Sequence, residues 1–262
     1  MLSTLPLFFG VGLLAGIMAG LFGIGGGLVI VPALLVAFRS QNIPPELTMH
    51  LALGTSLATI VVTSISSVLA HRAKGAIRWD VVSRLAPGVA LGAILGAFAA
   101  DFMPGALLQA LFALFALIMA LTMAMDFKPS AHRSLPGRSG LLVVGSVIGT
   151  LSALAGIGGG SLTVPFLSYC NVAMRYAVGI AAACGFPIAL AGSAGYLLAG
   201  WGQADLPAYS TGYIYWPAFF GITVATATSA PLGARLAHRF SERRMKQLFA
   251  GFLVIVGLRL LF

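Results

Sequence analysis

Charge is scarce in this chain, and negative charge most of all. Of 262 residues, 8% are charged, and only 6 are aspartate or glutamate. A soluble globular domain carries about 25% charged residues, and one of this length needs them to cover a large surface. A water-soluble globule is therefore excluded, and lipid is the expected solvent. The carboxylates Glu46, Asp80, Asp101, Asp126, Asp205 and Glu242 all stand at or beside breaks between apolar runs. That leaves the membrane interior without the acidic relays typical of cation and proton transporters. Cysteine is nearly absent too: Cys170 and Cys184 fit neither a disulfide framework nor a zinc pattern. No His, Cys or acidic cluster with catalytic or metal spacing lies within the runs. The chain is accordingly not read as an enzyme, and no metal site or cofactor is expected.

What is abundant is apolar sequence, 59% of the chain, in near-continuous runs over 5–22, 24–38, 47–70, 81–100, 106–125, 139–155, 157–170, 176–200, 214–237 and 245–262. Helices are expected throughout, because lipid leaves an open strand edge without partners. Spanning takes about 20 residues; the runs 24–38 and 157–170 fall short, and each adjoins a glycine cluster. The opening MLSTLPLFF lacks the basic region of a secretory signal, so its run is expected to stay as the first span. The formal charge of +9 comes from basic residues in short loops, the pattern of membrane orientation and not of nucleic-acid binding.

An internal repeat organises these runs. A shift of 133 residues lays GLLAGIMAGLFGIGGGLVIVPALLV (from Gly12) on GSVIGTLSALAGIGGGSLTVPFLSY (from Gly145), with 11 of 25 positions identical. At slightly different offsets, Met49-His50 with Gly54 meets Met174-Arg175 with Gly179, and Leu91-Gly92-Ala93 meets Leu232-Gly233-Ala234. The expected organisation is a first transmembrane repeat at 1–127, a cytoplasmic linker at 128–138 and a second repeat at 139–262. Placing the loops at 71–80, 128–138, 171–175 and 238–246 inside leaves 13 of the 15 Lys and Arg residues cytoplasmic, with Arg39 and Arg259 outside. Both termini are then extracytoplasmic. Corresponding loops carry opposite charge bias: basic 71–80 matches 201–213, which has only Asp205, and DFMPG at 101–105 matches HRFSERRMK. That swap is what inverted-topology repeats require. The expected fold is an all-α polytopic membrane protein of two inverted repeats, each a glycine-broken helix pair, spanning or re-entrant, plus three transmembrane helices.

The clusters GIGGG at 23–27 and 156–160 lie inside apolar sequence, where glycine disfavours helix and admits unusual backbone angles. Each should end one helix and start another near Gly26-Gly27 or Gly159-Gly160, presenting free amides and a positive dipole end suited to an anion. The competing reading is tight helix crossing, the role expected of Gly12, Gly16 and Gly20 and of Gly88, Gly92 and Gly96. Neither cluster has nucleotide-motif spacing. Pro32 and Pro165 follow as geometric elements. A hydroxyl row, Thr55, Ser56, Thr59, Thr63, Ser66 and Ser67, either lines an anion path or bonds its own helix. In the second repeat Ile180 and Ala181 replace Thr55 and Ser56, and the hydroxyls are instead Ser161, Thr163, Ser193 and Tyr196. His50 and Arg175, at matching positions, read as interface anchors, and Trp201, Tyr213, Tyr215 and Trp216 as an outer aromatic belt.

With GIGGGLVIVP, GIGGGSLTVP, ALGTSLATIVVTSISSVLAH at 52–71, GFPIALAGSAGYLLAG at 185–200 and LGARLAHRF in hand, the chain resembles the sulfite exporter TauE/SafE family of bacterial membrane proteins over nearly its whole length. The resemblance implies export of a small sulfur oxyanion, such as sulfite, sulfoacetate or a related organosulfonate, across the bacterial cytoplasmic (inner) membrane. The residues expected to bind it are Gly25, Gly26, Gly27, Thr55, Ser56, Gly158, Gly159, Gly160, Ser161 and Thr163. The partners expected are a small anion and the lipid bilayer, with no nucleic acid and no stated oligomeric state. An anion channel of the same architecture and a carrier of a different small anion stay open as alternatives.

Overall fold

A computed structural model of the chain describes residues 5–22, 26–41, 43–125, 134–237 and 242–262. Ten helices are found among them: α1 (Leu5–Phe22), α2 (Gly27–Ser40), α3 (Pro45–Ala73), α4 (Trp79–Asp101), α5 (Gly105–Ala124), α6 (Arg138–Leu154), α7 (Gly160–Tyr169), α8 (Met174–Ala199), α9 (Trp216–Ala237) and α10 (Glu242–Leu261). Each coincides with one apolar run. Turn chemistry sets several starts. Pro44 precedes α3 with Pro45 in its first turn and Glu46 at the positive dipole end, and Pro104 precedes α5. Helices α3, α4, α5 and α8 are long and apolar enough to cross a membrane. By contrast α7, at 10 residues, rises only about 15 Å, roughly half the hydrocarbon thickness.

Two helix pairs are drawn together by glycine. In the α1–α9 pair, a Cβ added at Gly12 would stand 2.8 Å from Ile222 Cα, and one at Gly16 would stand 2.8 Å from Thr226 Cα. In the α4–α6 pair, a Cβ at Gly92 would stand 2.7 Å from Ser146 Cα, and one at Gly96 would stand 3.0 Å from Thr150 Cα. Residue numbers rise together along both pairs, so the partners run parallel. The hydroxyl of Thr150 donates to the Gly92 carbonyl at 3.0 Å, adding a polar tie across that crossing. These glycines therefore serve close packing, as expected for Gly12, Gly16, Gly88, Gly92 and Gly96.

The central contacts run the other way. Along α3 and α8, Gly54 faces Tyr196, Leu57 faces Gly192, and Ala76, just beyond α3, faces Gly179, so the two helices are antiparallel. Helices α5 and α10 are antiparallel as well: Gln109 donates to the Leu260 carbonyl at 2.7 Å while Leu117 packs on Gly257. Loops sort accordingly. The turn at Ala76 meets α8 at Gly179, while Tyr213 meets α3 at Gly54 and Gly105 lies against Glu46 at the other end.

The strands were not anticipated: β1 (Ser210–Thr211) pairs antiparallel with β2 (Ile214–Tyr215). The hairpin tucks between α3 and α8, burying Tyr213 and Tyr215. Among the four aromatics assigned to an outer belt, exposed Trp201 fits that role, whereas these two tyrosines are core residues.

Gly92→Ala places a methyl group on the Ser146 carbonyl and should cost roughly 1–3 kcal/mol. At Gly251 on α10 nothing lies within 4 Å of an added Cβ, so Gly251→Ala should be neutral or gain about 0.5–1 kcal/mol from helix propensity. Thermal melts of the detergent-purified variants check both, with opposite shifts expected.

Candidate functional site

The second glycine cluster is a helix stop followed at once by a helix start. After α6, the Gly156 N–H donates to Ala153 O at 3.1 Å and the Ile157 N–H to Ser152 O at 2.9 Å, with Gly156 at φ 62°. This pairing closes a helix end and needs a left-handed residue, hence glycine. Three residues on, Gly159 is again left-handed at φ 74°, and its carbonyl accepts from the Thr163 N–H at 2.8 Å and the Leu162 N–H at 3.2 Å, opening α7. Gly158 carries the chain between them, close enough to α8 that a Cβ at Gly185 would stand 2.9 Å from the Gly158 oxygen. Pro165 lies one turn inside α7 and Pro32 one turn inside α2; neither starts its helix.

This break sits at the waist of the molecule. It is clasped by α3 and α8 near their midpoints, with Leu53 and Ser56 against Gly156, Ile60 against Gly158, and Ile188 against Gly159. The start of α2 arrives at the same place. A Cβ on Gly27 would stand 2.8 Å from Ile157 Cα and would overlap the Gly156 carbonyl, so α2 begins directly against the second break. Gly26 precedes α2 with ordinary right-handed angles, its carbonyl accepting from the Val29 and Ile30 N–H groups. Gly25 lies outside the described residues.

The hydroxyls assigned to the site divide into two kinds. Ser56 donates to the Gly156 carbonyl at 2.8 Å, and Thr55 points elsewhere, accepting the Tyr215 N–H of the hairpin at 3.0 Å. Farther along α3, Thr59 donates to Ser56 O and Thr63 to Ile60 O within their own helix, while Ser66 is exposed. Ser193 likewise bonds within α8, and Tyr196 donates to Ala153 O at 3.2 Å. Against these stand Ser161 and Thr163 on α7 and Ser152 in the last turn of α6, all buried and all without a hydrogen-bond partner. Ser152 escaped the sequence reading because it lies before the glycine motif. Its first-repeat counterpart under the shift is Ala19.

His50 is not an anchor reaching for the interface. It is 5% exposed, with its ring nitrogens 3.0 Å from the Glu46 and Ala100 carbonyls and its ring against Tyr213. Arg175 is exposed and lies over the Tyr176 ring, as an anchor would. Among the described residues, no group of three or more His, Cys, Asp or Glu could hold a metal. A cleft of about 440 Å³ between α5 and α10 is lined by Leu117, Ala120, Leu121, Gln247 and Val254, and by no residue of the second break. Its walls are apolar apart from one amide, so it offers an anion little.

Comparison with known proteins follows the same outline. A profile of the family described as "Sulfite exporter TauE/SafE" matches residues 8–260. A "Probable membrane transporter protein" of Haemophilus influenzae is 37% identical over 252 residues, covering 95% of each chain. Another protein so described, from Methanocaldococcus jannaschii, is 28% identical over 99% of this chain and 96% of its own. The probable membrane transporter protein YunE of Bacillus subtilis is 24% identical over 96% of this chain and 95% of its own.

Because the Ser56 hydroxyl satisfies a buried carbonyl at the break, Ser56→Ala should strand that oxygen and cost about 1–3 kcal/mol. Thermal unfolding in detergent reads the loss; a melting temperature equal to that of the unaltered chain would show the bond to be dispensable.

Proposed function

This chain belongs to the sulfite exporter TauE/SafE family of membrane transporters, and from that premise we propose that it exports a small sulfur-containing oxyanion, such as sulfite, sulfoacetate or a related organosulfonate, by alternating access at a site between its two halves. The observation that carries this is the meeting of the α2 start with the second break: Gly27 abuts Gly156 and Ile157 midway along α3 and α8. Helix starts there turn amides and positive dipole ends toward a region of low dielectric, where they attract negative charge. No carboxylate occurs in the runs forming this waist to repel it.

Inverted halves at 1–127 and 139–262, joined by a cytoplasmic linker at 128–138, are part of the proposal. Two features support them. Matching helices α3 and α8 run in opposite senses, as do α5 and α10; an axis lying in the membrane plane produces that, whereas one along the normal would make them parallel. The α1–α9 pair also mirrors the α4–α6 pair, exchanging first and second halves. The 71–80 turn and the start of α8 then face the cytoplasm of a bacterial inner membrane, and the hairpin faces out. With the site at mid-depth, rocking of one half against the other exposes it to each side in turn.

Proteoliposomes loaded with labelled sulfite test the reading. Saturable efflux, inhibited by related sulfur oxyanions and lost in Gly26→Leu and Gly159→Leu at normal expression, is expected. Absence of a saturable response to sulfite, sulfoacetate, thiosulfate and sulfate alike would end it, and unitary currents far above carrier turnover would replace the carrier with a channel.

A further inference from the structure

We propose that the hydroxyls holding the oxyanion come from one half only, namely Ser152, Ser161 and Thr163 around the start of α7, while the α2 start adds no hydroxyl and the Thr55–Ser56 pair is structural. The inference rests on the transport reading above and specifies its site. Ser152 and Thr163 are 0% exposed and Ser161 is 7% exposed, and none has a hydrogen-bond partner. Leaving a buried hydroxyl unpaired costs free energy, so three such groups at one break call for a ligand. Two of them demonstrably border the same space. The Ser152 Oγ and Thr163 Oγ1 each lie 3.6 Å from where a Cβ on Gly159 would stand.

The first turn of α7 adds backbone donors beside these hydroxyls. Leu162 and Thr163 donate to Gly159 O, which leaves Gly160 and Ser161, among the described residues, with no backbone acceptor in the first turn of α7. Hydroxyl and amide donors converging on one helix start suit several oxygen acceptors carried on a single small centre, as in a sulfur oxyanion. Ile188 closes over this point, since its Cδ1 meets the position of a Gly159 Cβ. The anion therefore reaches the hydroxyls when Ile188 turns aside.

The other half lacks this equipment. Under the 133-residue shift, Ser161 and Thr163 correspond to Leu28 and Ile30, which are 1% exposed and apolar, so the α2 start brings no hydroxyl. Ser56 has its proton committed to Gly156 O and cannot donate it to an anion. Thr55 is turned to the hairpin.

Removing an unpaired hydroxyl and removing a ligand contact have opposite signatures. Ser152→Ala and the isosteric Thr163→Val should melt at the same or a higher temperature than the unaltered chain, because each deletes a buried unsatisfied group. Each should also weaken binding of sulfite and methanesulfonate to the full chain in detergent about tenfold or more, the value of a hydrogen bond to a charged acceptor. Calorimetric titration reads the affinity. If the unaltered chain binds both probes and both variants bind as tightly, the one-sided site is overturned while the transport reading stands. If the unaltered chain binds neither probe, both are overturned.

Discussion

A backbone amide or carbonyl that loses its helical partner inside lipid has no water to replace it, and the region between α6 and α7 is organised around that fact. Five residues separate Leu154 from Gly160. Their polar groups are met by the turn-closing bonds at Gly156 and Ile157, by the Gly159 carbonyl turning into α7, and by Ser56 reaching across from α3 to Gly156 O. The remaining protection is steric. Leu53 and Ile60 from one side and Gly185 and Ile188 from the other enclose the segment between the two long central helices. An interruption that would be untenable facing lipid is tolerable in this clasp, and the clasp in turn explains why α3 and α8 are the longest helices and lie at the centre.

The same constraint separates two glycine clusters that are identical as strings. At 156–160 the glycines are needed for conformation, since Gly156 and Gly159 are left-handed. At Gly27 the need is for approach, because any side chain would strike Gly156 and Ile157. Flanking residues then set the chemistry. SLTVP surrounds the α7 start with hydroxyls, whereas LVIVP surrounds the α2 start with aliphatic carbon. The repeated motif precedes both helix starts, but Gly26 is right-handed where Gly159 is left-handed, and Leu28 and Ile30 stand where the second copy has Ser161 and Thr163.

Helices were legible because lipid allows little else: each apolar run became one helix, and the turns with Pro, Gly and charge became the ends. Places of closest packing were legible for the same reason, since Gly88, Gly92 and Gly96 recur on one face. Less visible was the partner of each hydroxyl. Thr55 and Ser56 are adjacent in sequence but point to different elements, which only the placement of the hairpin and of Gly156 decides. The hairpin itself was hidden because it straddles the polar loop at 201–213 and the first residues of the run at 214–237, and its tyrosines also suit an interface. Burial of His50 was hidden too, because its second contact, the Ala100 carbonyl, lies 50 residues away.

Equivalent glycines seat equivalent loops, but the seats are filled unequally. Gly54 on α3 receives the Tyr213 carbonyl of the α8–α9 connection, and Gly179 on α8, its counterpart in the repeat, receives the Ala76 carbonyl of the α3–α4 connection. The geometry of the two contacts is alike, each a backbone oxygen set against a glycine where no side chain would fit. What surrounds them differs. Around Tyr213, the hairpin adds the bond from its N–H to Tyr196 O, the bond from its hydroxyl to Asp101 at 2.7 Å, and the Tyr215 N–H bond to Thr55. Around Ala76, the described residues show a tight turn that bonds to its own helix at His71 O. Separating α3 from α8 at the hairpin end therefore breaks a hydrogen-bonded network, whereas separating them at the Ala76 end breaks mainly packing contacts. The two ends of the central helix pair are matched in shape and unmatched in the bonds that keep them closed.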